Sequence, residues 1–154
     1  MAIRKIIQIG DETLRKKSFE VTDFGEKTKQ LLDDMKQTLE KAQGAGLAAV
    51  QVGVLRRIFI VDTDDGYFEF INPEIISVRG KQFGTEGCLS VAGKWGDVER
   101  PKTVKIRAFD RDGNKFEMVA KDFTARAICH EYDHLDGVLY VDKAQNLRTE
   151  KNNV

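Results

Sequence analysis

The chain holds two histidines, and both fall in one pentapeptide, His130-Glu131-Tyr132-Asp133-His134. On a helix, residues four apart share a face, so the two imidazoles can bind one metal ion. Glu131 lies one step round, where a carboxylate can reach a water at the metal without ligating it. Two ligands and a general base are the start of a hydrolytic metal site. A catalytic ion of this kind takes three protein ligands and keeps one position open. A third histidine six residues after the second would complete one such set, but Tyr140 stands there. The third ligand is therefore a cysteine or a carboxylate. Cys129 neighbours His130 and would point about 100° away from it on a helix, so it reads as a small buried thiol. Cys88 remains, in Glu86-Gly87-Cys88-Leu89-Ser90, where the glycine allows close backbone approach. Elimination favours Cys88, His130 and His134, and leaves a carboxylate third ligand open as the alternative.

Gly44-Ala45-Gly46-Leu47-Ala48-Ala49-Val50-Gln51-Val52-Gly53 is small and flexible, with a single side-chain amide. It reads either as a helix stop and a packed connection, or as a segment whose Gln51 amide stabilises an oxyanion. Asp133 either supports the site or is an exposed carboxylate. Arg100, just before Pro101, either caps a strand end, the favoured reading, or pairs with a carboxylate near the site. Trp95, seven residues after Cys88 in a Gly-rich loop, reads as hydrophobic cover.

These residues need elements to position them. Leu31, Leu32, Met35, Leu39 and Ala42 recur at the helical period and predict a helix over about 26–42, which Gln43-Gly44-Ala45-Gly46 stops. A short helix capped by Asp11 is expected over 11–17. Arg57–Val61, Tyr67–Ile71, Ile75–Val78, Val104–Phe109 and Lys115–Val119 read as strands, with Asn72-Pro73 dividing the second from the third. Asp122 then caps a helix running from Phe123 to about Gly137 and carrying the histidine pair. Strands grouped between helices imply α+β rather than alternating βαβ. At 154 residues the chain suits a single domain, expected over 1–142, with a polar tail over 143–154 that frays. Lys+Arg and Asp+Glu both number 25, so no basic excess argues for a nucleic-acid surface. No run approaches the roughly 20 apolar residues of a membrane span, and Met1-Ala2-Ile3-Arg4-Lys5 does not open a secretory signal. With two cysteines in no disulfide pattern, a soluble cytoplasmic protein is expected.

Gly44–Gly53, Glu86–Ser90 and His130–His134, in that order and spacing, resemble the three signature motifs of the peptide deformylase family. Leu14-Arg15, Ile71-Asn72-Pro73-Glu74 and Leu135-Asp136-Gly137-Val138-Leu139 extend the resemblance over most of the chain. It implies an α+β fold with small antiparallel sheets around the metal-binding helix. It also implies removal of the formyl group from the N-terminal formylmethionine of nascent polypeptides. Carried over by motif, Cys88, His130 and His134 are ligands, and Glu131 is the general acid and base. Gln51 and the Leu89 N–H hold the formyl oxygen, while Ala45, Gly46 and Gly87 line the peptide channel with backbone groups. The implied metal is Fe²⁺, with Zn²⁺ or Ni²⁺ in purified protein, and transient ribosome association is the implied partner contact. Ile9-Gly10, Val50 and Ala92 depart from frequent prolines of the family without touching a ligand, base or oxyanion donor. Two rival readings are a metalloprotease with a carboxylate third ligand and a metal-binding module without turnover.

Overall fold

Helix α1, Glu26–Ala42, buries Leu31, Leu32, Met35 and Leu39 on one face, as the period demands. It ends at Gln43, which takes the left-handed conformation (φ 56°) ahead of the glycines. The computed structural model describes residues 2–149 as an α+β fold of two helices, short 3-10 turns and two antiparallel sheets. The larger sheet has the order β1-β2-β3-β6-β7, with β1 Gly46–Ala48, β2 Ile58–Thr63, β3 Gly66–Arg79, β6 Thr103–Phe109 and β7 Lys115–Lys121.

Strand β2 shows how this sheet is held. Ile58, Phe59, Ile60 and Val61 are all fully buried, a continuous apolar run suited to a strand covered on both faces. Ile58 and Ile60 pack with the α1 residues, while Phe59 and Val61 pack with Ala125, Ile128 and Cys129 of the second helix. That helix, α2, spans Asp122–His134. The sheet therefore lies between α1 and α2, and α2 presents its other side to a smaller sheet of β4 Gln82–Cys88, β5 Val91–Arg100 and β8 Gln145–Thr149, ordered β4-β5-β8.

Several expectations change here. The helix expected over 11–17 is a 3-10 turn, Glu12–Arg15, whose cap Asp11 accepts from the Thr13 N–H at 2.9 Å. Asn72-Pro73 does not divide two strands. β3 runs through it with register shifts at Ile71/Glu74 and Ile75/Ser77, because Asn72 adopts φ 49° and its side chain brackets the Val21 N–H and carbonyl. A bulge also suits Pro73, which has no N–H for a ladder. Trp95 lies in strand β5 rather than in a loop, opposite Arg148. The polar tail does not fray over Gln145–Thr149, since that stretch pairs with β5; residues 150–154 lie outside the described residues.

Helix α2 stops at His134, three residues short of Gly137. Gly137 has φ 74°, and a Cβ there would run into the Arg15 carbonyl. Both faults lie in backbone and neither can be relieved by a side chain turning. Gly137→Ala is therefore expected to lower stability by about 2–4 kcal/mol, read by urea denaturation at unchanged slope.

Candidate metal and catalytic site

The helical period of α2 sets His130 and His134 one turn apart, with ring centroids separated by 5.2 Å. The β4–β5 hairpin brings Cys88, the last residue of β4, against them, with Sγ 3.4 Å from His134 Nε2. One ligand atom from each of Cys88, His130 and His134 lies within 4.8 Å of the other two. Among the described residues, the third member of this potential ion-holding group is the thiol of Cys88. Cys129 takes the place expected of it, in the core packed against the large sheet, and burial pushes its thiol up to about 11.

Glu86 lies two residues before Cys88 and is almost fully buried. Its Oε1 stands 2.9 Å from His130 Nδ1 and accepts from Arg100 Nη2; its Oε2 accepts from Arg100 Nε and Arg126 Nη1. Burial opposes a charge here, but the hydrogen bonds from Arg100 and His130 outweigh it and hold the carboxyl well below its usual range. An ionised acceptor at Nδ1 holds the proton there, so Nε2, which faces Cys88, is the nitrogen that can offer a lone pair to an ion. Arg100 also donates to Asp133 at 2.7 Å, and Lys143 pairs with Asp133 from outside. Arg100 is therefore a partner of the site as well as a strand end, and Asp133 supports it.

Glu131 is 4% exposed. Its Oε2 lies 3.9 Å from His130 Nε2, and its Oε1 is buried with no protein partner among the described residues. Burial pushes the carboxyl up to about 7, a value suited to exchanging protons near neutrality. The chain at Gly46 presses on this carboxylate: a Cβ there would stand 2.6 Å from Oε2 and 2.8 Å from Cγ of Glu131. Gly46→Ala should displace Glu131 by a good fraction of an ångström and lower kcat by about 10²-fold with metal content unchanged. Steady-state kinetics beside elemental analysis checks this.

Gln51 sits in the 3-10 turn Ala49–Val52 and is fully enclosed. Its Oε1 accepts from the Ala48 N–H at 2.9 Å, which settles the amide's orientation. Nε2 then points at the site, donating to Ser90 Oγ at 3.0 Å and lying 3.7 Å from Cys88 Sγ. A cavity of about 470 Å³ opens beside these groups. Ala45, Gly46, Gly87, Leu89, Gln51 and Glu131 line it, and Trp95 and Phe123 form part of its wall. Trp95 packs so closely on Gly87 that a Cβ at Gly87 would stand 2.7 Å from its ring.

Against known sequences, a family model described as polypeptide deformylase matches residues 3–150. The chain belongs to the polypeptide deformylase family. Among its relatives in that family, the peptide deformylase of Caldicellulosiruptor bescii is 54% identical over 143 residues, covering 93% of this chain and 86% of its own length. That of Caldanaerobacter subterraneus is 52% identical over 143 residues, 93% of this chain and 90% of its own length. The deformylase fold agrees: the crystal structure of the Thermotoga maritima enzyme has a TM-score of 0.91 at 36% identity, covering 93% of this chain and 98% of that one. The Synechococcus elongatus enzyme in complex with actinonin has a TM-score of 0.90 at 37% identity, covering 93% and 79%.

The motifs alone did not single out Glu86, Ser90 or Arg126. Arg126 carried a usable signal, being the one charge in Thr124-Ala125-Arg126-Ala127-Ile128. A cation in an apolar helix run requires a buried partner.

Proposed function

We propose that this chain hydrolyses N-formylmethionyl peptides, releasing formate, at a divalent metal ion held by Cys88, His130 and His134. The observation that carries the reading is the convergence of one thiol and two imidazoles within 4.8 Å, in a cavity that also receives Glu131 and the Gln51 amide. The donor set fits such an ion: a thiolate and two imidazoles suit Fe²⁺, Zn²⁺ or Ni²⁺ better than Mg²⁺ or Ca²⁺. The unpartnered buried Glu131 Oε1 fits a site that takes a further polar group.

An ion held by Cys88, His130 and His134 would supply Lewis acidity to the water and the formyl carbonyl. The rest is the work of the chain. Glu131 takes the proton from the water that attacks the formyl carbon. Charge then develops on the formyl oxygen, where Gln51 Nε2 and the Leu89 N–H serve as its donors. Glu131 gives its proton to the departing nitrogen, the C–N bond breaks, and formate and a free amino terminus remain. Backbone groups of Ala45, Gly46 and Gly87 guide the peptide along the cavity. The carbon attacked bears only hydrogen, so a narrow site excludes larger acyl groups by size.

Fe²⁺ is the metal this reading favours, and a thiolate ligand makes the loaded enzyme oxygen-sensitive. The catalytic unit is residues 1–142, which contain the three metal-holding residues, Glu131, Gln51, Leu89 and the cavity residues Ala45, Gly46 and Gly87. Nascent chains as substrate place the protein in the cytoplasm with transient contact to ribosomes. No described helix is long and apolar enough to cross a membrane.

The test is formate release by anaerobic, Fe²⁺-loaded protein from a formyl-Met peptide, set beside the acetylated and unmodified peptides. Turnover of the formyl peptide alone is expected. A full equivalent of bound metal with no formate released would overturn the reading.

A further inference from the structure

We propose that the N-terminal segment Ile7-Gln8-Ile9 is a strap that sets both oxyanion donors, with Gln8 as its positioning residue; this rests on the roles of Gln51 and Leu89 given above. Four hydrogen bonds join this segment to the two donor-bearing pieces of chain. The Ile7 N–H donates to the Gln51 carbonyl at 2.7 Å, and the Ile9 N–H donates to the Ser90 carbonyl at 2.7 Å. Between them, Gln8 Nε2 donates to the Leu89 carbonyl at 2.9 Å and Gln8 Oε1 accepts from the Ala92 N–H at 3.3 Å. One end of the Gln8 amide meets a carbonyl and the other an N–H, so its orientation has a single solution.

The geometry explains why such a clamp matters. Cys88 ends β4 and Val91 opens β5, so Leu89-Ser90 is the hairpin's connection. Each peptide unit is a rigid plane. Cys88 anchors the plane that carries the Leu89 N–H, and Gln8 anchors the next plane through the Leu89 carbonyl. With both planes held, the Leu89 dihedrals cannot relax and the N–H direction is set. Ser90 closes the circuit, since its hydroxyl accepts from Gln51 Nε2 at 3.0 Å. Ala92 has a part in this too. Its N–H is the donor to Gln8 Oε1, which a proline at this position would lack.

Gln8 is exposed, and its two bonds are near the surface. Their loss costs the fold little, because water replaces them, so the effect belongs in turnover. Gln8→Ala removes both contacts. Gln8→Glu keeps an acceptor for the Ala92 N–H and loses the donor to Leu89. Both should lower kcat about three- to tenfold on a formyl-Met peptide, with KM within about twofold. Metal content should stay at one equivalent and the thermal midpoint should hold. An unchanged kcat, a rise in KM alone, or a fall in bound metal overturns the strap. Gln51→Ala is measured alongside. If its kcat falls while the Gln8 variants are unaltered, the strap alone is wrong; if its kcat is unaltered, the donor reading beneath it is wrong.

Discussion

Glu131→Gln is expected to abolish nearly all formate release while leaving a full equivalent of metal bound. The substitution keeps shape and removes basicity. Glu131 is enclosed by α2 and the chain at Gly46, and its Oε1 has no partner to lose among the described residues. The variant should therefore fold and bind metal as the parent does. General acid–base catalysis contributes about 10²–10⁴-fold. Glu131 serves twice, taking the proton from water and returning it to the leaving nitrogen, so the loss should lie at the upper end of that range. Neither neighbouring carboxylate is free to stand in: Glu86 is held by Arg100, Arg126 and His130, and Asp133 by Arg100 and Lys143. Cys88→Ala is the complementary case. It removes a ligand instead of the base, so metal and turnover should be lost together. Elemental analysis with kcat/KM on both variants separates the two roles. More than about a tenth of parental turnover in Glu131→Gln would mean that the proton travels by another route.

How much of this was legible in the sequence depends on the range of the interaction. His130, Glu131 and His134 lie within two helical turns, and the 3.6-residue period alone puts the imidazoles on one face. The burial of α1 and of Ile58–Val61 follows from equally local patterns. The charge cluster behind the histidines does not. Glu86 and Arg100 meet through the β4–β5 hairpin, and Arg126 reaches Glu86 only because α2 crosses that hairpin. Nothing in the spacing of 86, 100 and 126 encodes that crossing. Strand β5 escaped for another reason: Ala92, Gly93, Lys94 and Trp95 are all exposed, and the alternating burial that follows falls on Gly96, Val98 and Arg100, of which only Val98 is an apolar side chain. Its partner β8 is wholly exposed as well and reads as a polar tail. At Asn72-Pro73 the local punctuation was real, but β3 absorbs it as a bulge and continues.

Glu86→Ala is expected to cost about 3–5 kcal/mol of stability, a large share of the 5–15 kcal/mol that holds a typical domain. The side chains of Glu86, Arg100 and Arg126 are 4%, 2% and 8% exposed. Removing the carboxylate leaves Arg100 with Asp133, but leaves Arg126 with only the carbonyls of Gly84 and Val98. An unpaired buried cation is the larger part of the loss, so Glu86→Ala combined with Arg126→Leu should recover part of it. His130 also loses the acceptor that orients its ring, and metal affinity should fall about 10- to 100-fold. Acid gives an independent check. The Glu86 carboxyl is held below its ordinary value of 4.5 in the folded chain. Its contribution is therefore complete above that value and drains away as pH falls below it, because the unfolded chain takes up the proton first. The stability gap between the parent and Glu86→Ala, measured by urea denaturation of metal-free protein, should be full at pH 7 and narrow steadily below about pH 4.5. A gap that stayed constant into acid would mean that lost packing, and not the lost charge, destabilises the variant.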